Sequence, residues 1–187
     1  MEFHSDWPLA LASSPYKWYG PHAGILCCDP ELLNSLDVAK VRPAADTGPR
    51  RFETGTPSFE AIAATEAAAR FLLDEDMDKV AADESVVFDG LLRGLQRIAG
   101  VTVYGRQGLE GRVPTLAFTV AGHHPDEVGK SLAAERIATW SGHSYAVEVV
   151  DQLGLTATGG MVRAGVVRYI TTDDVDRLIG AVERLRS

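Results

Sequence analysis

Cysteine is almost missing from this 187-residue chain: it holds two, Cys27 and Cys28, side by side, and none after them. Adjacent cysteines are poorly placed for a structural disulfide, and they are not the C-x-x-C of a zinc or redox site. They follow Gly24, Ile25 and Leu26, which reads as the end of a buried strand where free cysteine packs as a small hydrophobe. The five histidines are scattered, and no metal site is expected; His123 and His124 are neighbours that would point apart in a strand or turn. No apolar run approaches the ~20 residues needed to span a bilayer. Positive charge is in deficit, with 18 Lys and Arg against 26 Asp and Glu and a net charge of -8. That balance favours solubility and argues against nucleic acid or an anionic membrane as a partner. The first residues carry Glu2 and Asp6 and no basic region of the kind that opens a secretory signal. A cytoplasmic location is therefore expected. Internal repeats and low-complexity tracts are also missing.

What is present is ordinary for a globular protein: 45% apolar and 24% charged residues. The length suggests one domain or about one and a half. The most distinctive stretch runs from Ala12 to His22, where Lys17 sits between Tyr16 and Tyr19 with Trp18 beside it. A lysine in a tight, aromatic, poorly hydrated loop is held toward its neutral amine. A neutral amine condenses with aldehydes. The same pattern also suits a lysine whose stem simply runs past aromatic rings.

Residues 8–13 and 23–28 read as two short buried strands flanking this loop. Residues 30–36 form a short helix, with Asp29 at the N-cap and Pro30 in its first position. Residues 37–57 show no period and contain Pro43, Gly48, Pro49, Gly55 and Pro57; long loops of this kind are often functional. The loop ends at Arg51-Phe52-Glu53-Thr54-Gly55-Thr56-Pro57. A glycine lets backbone come close, and a hydroxyl with free N–H groups at a helix N-terminus suits a phosphate. A helix start capped by Ser58 accounts for the same residues. A helix over 59–74 is expected to place Ile62, Phe71 and Leu72 in the core. Another over 77–98 carries the stripe Val80, Val87, Leu91, Leu92 and Leu95, closed by Gly100.

The rhythm then changes. Strands are expected at 101–104 and 114–120, the second alternating with Leu116, Phe118 and Val120 on one face. A helix over 126–134, capped around Pro125 and Asp126, a strand at 137–140 and a helix over 145–153 follow. A strand at 161–170 precedes the last helix, 171–185, with Thr171-x-x-Asp174 as its capping box. This order reads as a small α+β layer with helices on one face. In the 161–170 strand Arg163 and Arg168 would face opposite sides. Arg163 has the small neighbours Ala164 and Gly165, which leave room for a ligand, and a guanidinium suits a carboxylate. Strand arginines also often pair with a neighbouring acid.

Four segments together resemble one family. They are Ser14-x-x-Lys17-x-x-Gly20-Pro21, Arg51-Phe52-Glu53-x-Gly55-Thr56, Ser141 to Ala146, and Arg163 to Thr171. The resemblance is to the class V aminotransferases, pyridoxal 5'-phosphate (PLP) enzymes that include the cysteine desulfurases, and within them to the cysteine desulfurase-like branch. It runs from about residue 5 to 186, yet matches only the C-terminal half or so of a family member. It implies that Lys17 links covalently to PLP and serves as the base at the substrate Cα. It implies that Ser14 holds the cofactor phosphate and that Thr56 reaches the phosphate of the other subunit in a homodimer. Arg163 would bind the carboxylate of an amino-acid substrate, with His143 and Tyr145 lining the pocket. The family pattern departs at two places. Tyr16 stands where many desulfurases have His, and the sulfur-accepting Cys would fall near Tyr145. A desulfurase needs that thiolate, so desulfuration of the usual kind is not expected.

The implied fold is mixed α/β and α+β. Residues 1–94 would be a remnant of the PLP-binding large domain and residues 95–187 the small C-terminal α+β domain. The ring-stacking residue, the Asp at the ring nitrogen and the main phosphate-binding turn, which precede the lysine in the family, do not appear in the chain. Two readings follow. One is a PLP-dependent enzyme acting on an amino acid by transamination, elimination, racemisation or a related path. The other is a truncated, non-catalytic fragment or interaction module that needs a missing N-terminal half, with an exposed apolar face for its partner.

Overall fold

The computed structural model describes residues 10–186, so Glu2, Asp6 and the first two residues of the expected 8–13 strand lie outside the described part. The chain divides into two compact units, Met1–Asp76 and Met77–Ser187. By compactness the division falls at 76/77 rather than at the expected residue 94, because residues 77–97 pack with the second unit.

In the first unit, β1 (Ala10–Ser13) pairs antiparallel with β2 (Ile25–Cys28), Ala10 opposite Cys28 and Ser13 opposite Ile25. A 3-10 turn, Pro15–Trp18, lies between them. The strands are not the buried pair expected: Leu11 and Leu26 are exposed. A two-stranded ribbon cannot cover both of its own faces. Cys28 is buried and Cys27 half-buried, although Leu26, on the same face of the strand as Cys28, is exposed. The short helix α1 (Pro30–Ser35) forms as expected, with Asp29 accepting from the Glu31 and Leu32 N–H groups. The aperiodic segment that follows is ordered by one side chain. Arg51 donates to the carbonyls of Leu36 (2.5 Å), Asp46 (3.2 Å) and Asn34 (3.3 Å). Gly48 N–H donates to Asn34 Oδ1 at 2.9 Å, and Lys40 pairs with Asp46 at 2.9 Å. The helix α2 (Phe59–Leu73) also forms, but Ile62 and Phe71 are exposed and Ala68 is its buried position. Its run of alanines offers too little large apolar surface to bury a stripe.

The second unit is a four-stranded antiparallel sheet with helices packed on one side. The helix α3 (Met77–Arg97), β3 (Val101–Tyr104), β4 (Thr115–Val120), α4 (Pro125–Ala134), β5 (Trp140–Gly142), α5 (Val147–Gln152), β6 (Met161–Gly165) and α6 (Thr172–Arg184) follow in order. The strand order is β3-β4-β6-β5. Its core includes Phe88, Leu92, Leu95, Phe118, Leu132 and Val162. Leu116, Phe118 and Val120 are all buried, as the alternation predicts.

Three boundaries shift for local reasons. After α4 the chain wraps back through Arg136 in the left-handed region (φ 62), and Ile137 N–H donates to Leu132 O at 2.9 Å. The strand expected at 137–140 therefore starts at Trp140. Ser144 (φ 48) and Tyr145 (φ 64) are also left-handed, so the helix expected from 145 starts at Val147. Finally β6 stops at Gly165, and Arg168 and Tyr169 lie in a turn. Arg168 is thus not on the strand at all, which replaces the expectation that it faces away from Arg163.

Both main caps of this unit are reciprocal. His124 and Glu127 form the box of α4, and Thr171 and Asp174 that of α6. The Thr171 N–H and hydroxyl, bonded to the Asp174 carboxylate, hold Asp174 below the ordinary carboxylate range. A group with a depressed pKa stabilises the fold above its unfolded pKa and loses that contribution as pH falls through the folded value. Asp174→Asn is therefore expected to lower Tm at neutral pH. The gap to wild type should close as pH drops below about 4, as read by circular dichroism melts across pH.

Candidate functional site

The sequence-predicted residues fall into two sets, one in each unit. In the first unit, the lysine turn is fixed by its own backbone. Lys17 N–H donates to Ser14 O at 2.9 Å, and Gly20 N–H to Pro15 O at 2.8 Å. Pro15 is buried. Trp18 Nε1 donates to Ser13 Oγ at 2.8 Å, and Tyr16 stacks on His22 with ring centres 5.2 Å apart. These contacts aim the Lys17 side chain outward, with Nζ 5.4 Å from the centre of the Tyr16 ring. Lys17 is exposed, which corrects the expectation of a poorly hydrated lysine. The rings lie alongside it, and Tyr16 and Tyr19 are themselves open to solvent.

Ser14 and Lys17 share this turn. Thr56 lies elsewhere in the same unit, in a cavity of about 540 Å³ that neither of them lines. Its walls include Gly24, Ile25, Glu53, Thr54, Thr56 and Ser58. Ser58 occupies the N-cap position of α2 but makes no side-chain cap bond. Cap bonds normally occupy the first N–H groups of a helix, so here those groups remain for another acceptor.

In the second unit, Arg163 sits on β6 opposite Ala117 of β4 and Trp140 of β5. Its neighbours Val162 and Ala164 are buried in the core, so Arg163 and Gly165 face the side of the sheet away from the helices. The expectation that Ala164 leaves room for a ligand is corrected accordingly; on Arg163's own face the small residues are Gly165 and Ala117, and Thr115 lies close to Gly165. Following β5, Tyr145 N–H donates to His143 Nδ1 at 3.0 Å and Ala146 N–H to His143 O at 2.7 Å. The two rings meet edge to face at 6.2 Å. Tyr145 is 90% exposed at the tip of this turn. His143, Tyr145 and Arg163 are thus on or beside adjacent strands.

Two residues take their place only from the three-dimensional structure. In sequence Arg51 is part of a motif, whereas its bonds organise the 34–51 loop. Trp140 reads in sequence only as a strand residue; the register, which no short-range pattern reports, puts it beside Arg163. Among the described residues no group of His, Cys, Asp and Glu could hold a metal ion, and no helix is long and apolar enough to cross a membrane.

A sequence profile of the family described as aminotransferase class-V matches residues 9–178. A probable cysteine desulfurase 2 from Mycobacterium leprae (strain TN) is 33% identical over 92% of this chain and 44% of its own length. A cysteine desulfurase from Cronobacter sakazakii is 31% identical, again over 92% of this chain and 44% of its own length. Among solved structures, the apo cysteine desulfurase from Thermococcus onnurineus NA1 superposes with a TM-score of 0.86 at 26% identity. That match covers 95% of this chain and 46% of the other. The chain therefore spans about half the length of the curated relatives it matches. Its fold is that of the C-terminal part of a fold type I PLP enzyme, as expected.

Proposed function

The chain belongs to the class-V aminotransferase family, and on that premise we propose that it is the amino-acid-binding, lysine-bearing part of a PLP-dependent enzyme. Pyridoxal 5'-phosphate is the cofactor of this family. The residues present fit its aldehyde and, for the neighbouring subunit's cofactor, its phosphate. Lys17 offers an exposed amine on a rigid turn. The Thr56 cavity offers hydroxyls at an uncapped helix N-terminus, which suits a phosphate; Glu53 in the same wall opposes an anion. When bound, the cofactor supplies an electron sink for the substrate Cα. Lys17 then takes or returns the Cα proton, and Ser14 donates its hydroxyl to the phosphate. Thr56 does the same for the neighbouring subunit of a homodimer. Arg163 grips the substrate carboxylate through two parallel N–H bonds, while His143 and Tyr145 line the pocket.

By the resemblance the sulfur-accepting cysteine would fall near Tyr145, where the chain has none, so persulfide chemistry is not part of this reading. Transamination, elimination or racemisation of an amino acid is. Residues 1–94 are read as large-domain material, 95–187 as the small domain, and the location as cytoplasmic. One observation favours the second reading, a module that needs a further chain segment to act: Leu11, Leu26, Ile62 and Phe71 of the first unit are all exposed.

The observation that carries the first reading is the intact lysine turn. Adding PLP to the purified chain is expected to give a saturable absorbance change that Lys17→Ala removes. An unchanged spectrum would leave the second reading.

A further inference from the structure

The face of the second unit's sheet that turns away from the helices holds an unusual pair. Ser141 Oγ donates to Asp126 Oδ1 of α4 at 2.6 Å, so Ser141 faces the helix side of β5. Its neighbour Trp140 must then face the other side. The register sets Trp140 directly opposite Arg163, with Cα atoms about 5 Å apart in an antiparallel pair. On its other flank Arg163 meets Ala117, and Tyr104 stands opposite Ala117 in turn. A row thus crosses all four strands: Tyr104, Ala117, Arg163, Trp140. Trp140 is 55% exposed and Arg163 is exposed. No strand residue on this face is acidic. By register, Arg163 thus stands between the small Ala117 on one side and Trp140 on the other, with no acidic residue among the strands of the sheet. Tyr145, at the tip of the turn after β5, adds a second exposed ring on the same strand's continuation.

We infer that Trp140 is a specificity-determining residue, and that the site takes an α-amino acid with an aromatic or long apolar side chain. The inference rests on the reading that Arg163 holds the substrate carboxylate. A carboxylate held there brings the rest of a small amino acid alongside Trp140. Apolar or aromatic substance on that indole is favoured by ring–ring contact and by area removed from water. Alanine or cysteine offers the indole little to cover. An exposed tryptophan beside an arginine with no acidic neighbour among the strand residues would thus select for a side chain, while the arginine selects for the carboxylate.

The test is nuclear magnetic resonance of the indole N–H signals of the full chain, titrated with L-phenylalanine and with L-alanine. The Trp140 signal is assigned by Trp140→Phe. Expected is a saturable shift of that signal, with phenylalanine bound about three- to tenfold tighter than alanine. In variants that lack this indole, binding is read from the backbone amide signals of 161–165: Trp140→Ala should erase the preference without weakening alanine, and Trp140→Phe should keep most of it. Arg163→Gln should weaken both ligands alike. A preference that survives Trp140→Ala overturns the inference and leaves the carboxylate reading standing. Binding of both ligands that Arg163→Gln does not change overturns the carboxylate reading itself. No saturable shift with either amino acid overturns both. Circular dichroism of each variant confirms that the sheet is intact; Trp140 and Arg163 lie on its exposed face, so their replacement opens no core cavity.

Discussion

Phe118→Ala is expected to cost about 3–5 kcal/mol and to unfold much of the second unit near physiological temperature. Phe118 is wholly buried at the centre of β4. Its strand is hydrogen-bonded on both sides, to β3 and to β6, and Phe118 itself stands opposite Val103 and Val162. Val162 is also wholly buried, so no neighbour can swing in from solvent to fill the void. The lost side chain removes both transfer energy and dispersion contacts. A fall in Tm of more than about 10 °C is expected by circular dichroism or calorimetry. A fall of only a degree or two would mean that the sheet's buried face is not the core. The contrast is an equivalent change in the first unit. Ile62→Ala on α2, at a 59% exposed position, is expected to move Tm by little, because little area returns to water.

Gly160→Ala is expected to leave the core folded and displace the turn that carries His143 and Tyr145. Gly160 has φ 92, a conformation costing a side chain about 1–3 kcal/mol. A Cβ there would lie 2.5 Å from the Gly142 carbonyl oxygen and 3.1 Å from the His143 backbone nitrogen. Both are backbone atoms, so neither can yield by changing rotamer. Relief requires the end of β5 to move by about 1 Å, a displacement of the size that costs about 10²-fold where geometry matters. Amide signals of 142–146 should shift while those of α3 and β4 stay in place. If Arg163 holds the substrate carboxylate as proposed, amino-acid binding should weaken with them. Unchanged signals at 142–146 would show that the turn is not held by this contact.

The parts legible in the sequence were those decided by near neighbours. Thr171 and Asp174, three residues apart, announce a capping box and form one. Leu116, Phe118 and Val120 alternate and are buried together. Asp29-Pro30 marks a helix start and makes one. What failed was decided by distant contacts or by single backbone torsions. Arg136, Ser144 and Tyr145 adopt positive φ although none is glycine, and each moves an element boundary. Ile62 and Phe71 look like core residues in a helical window, but burial depends on what packs against them, which periodicity does not report. For the candidate site, Ser14, Lys17, Thr56 and Arg163 are proposed from the family resemblance alone. Trp140 is not among them, because its position beside Arg163 is a fact of strand register.

This chain is expected to select its own lysine, Lys17, for the cofactor. The most direct test is borohydride reduction of the purified chain with added PLP, followed by peptide mass spectrometry. A phosphopyridoxyl group confined to Lys17, and lost in Lys17→Arg without appearing elsewhere, is the predicted result. Labelling spread over Lys40, Lys79 and Lys130 as readily as Lys17 would contradict it. Lys17 would then be one surface amine among others, and the chain a folded part of its family without a cofactor site of its own.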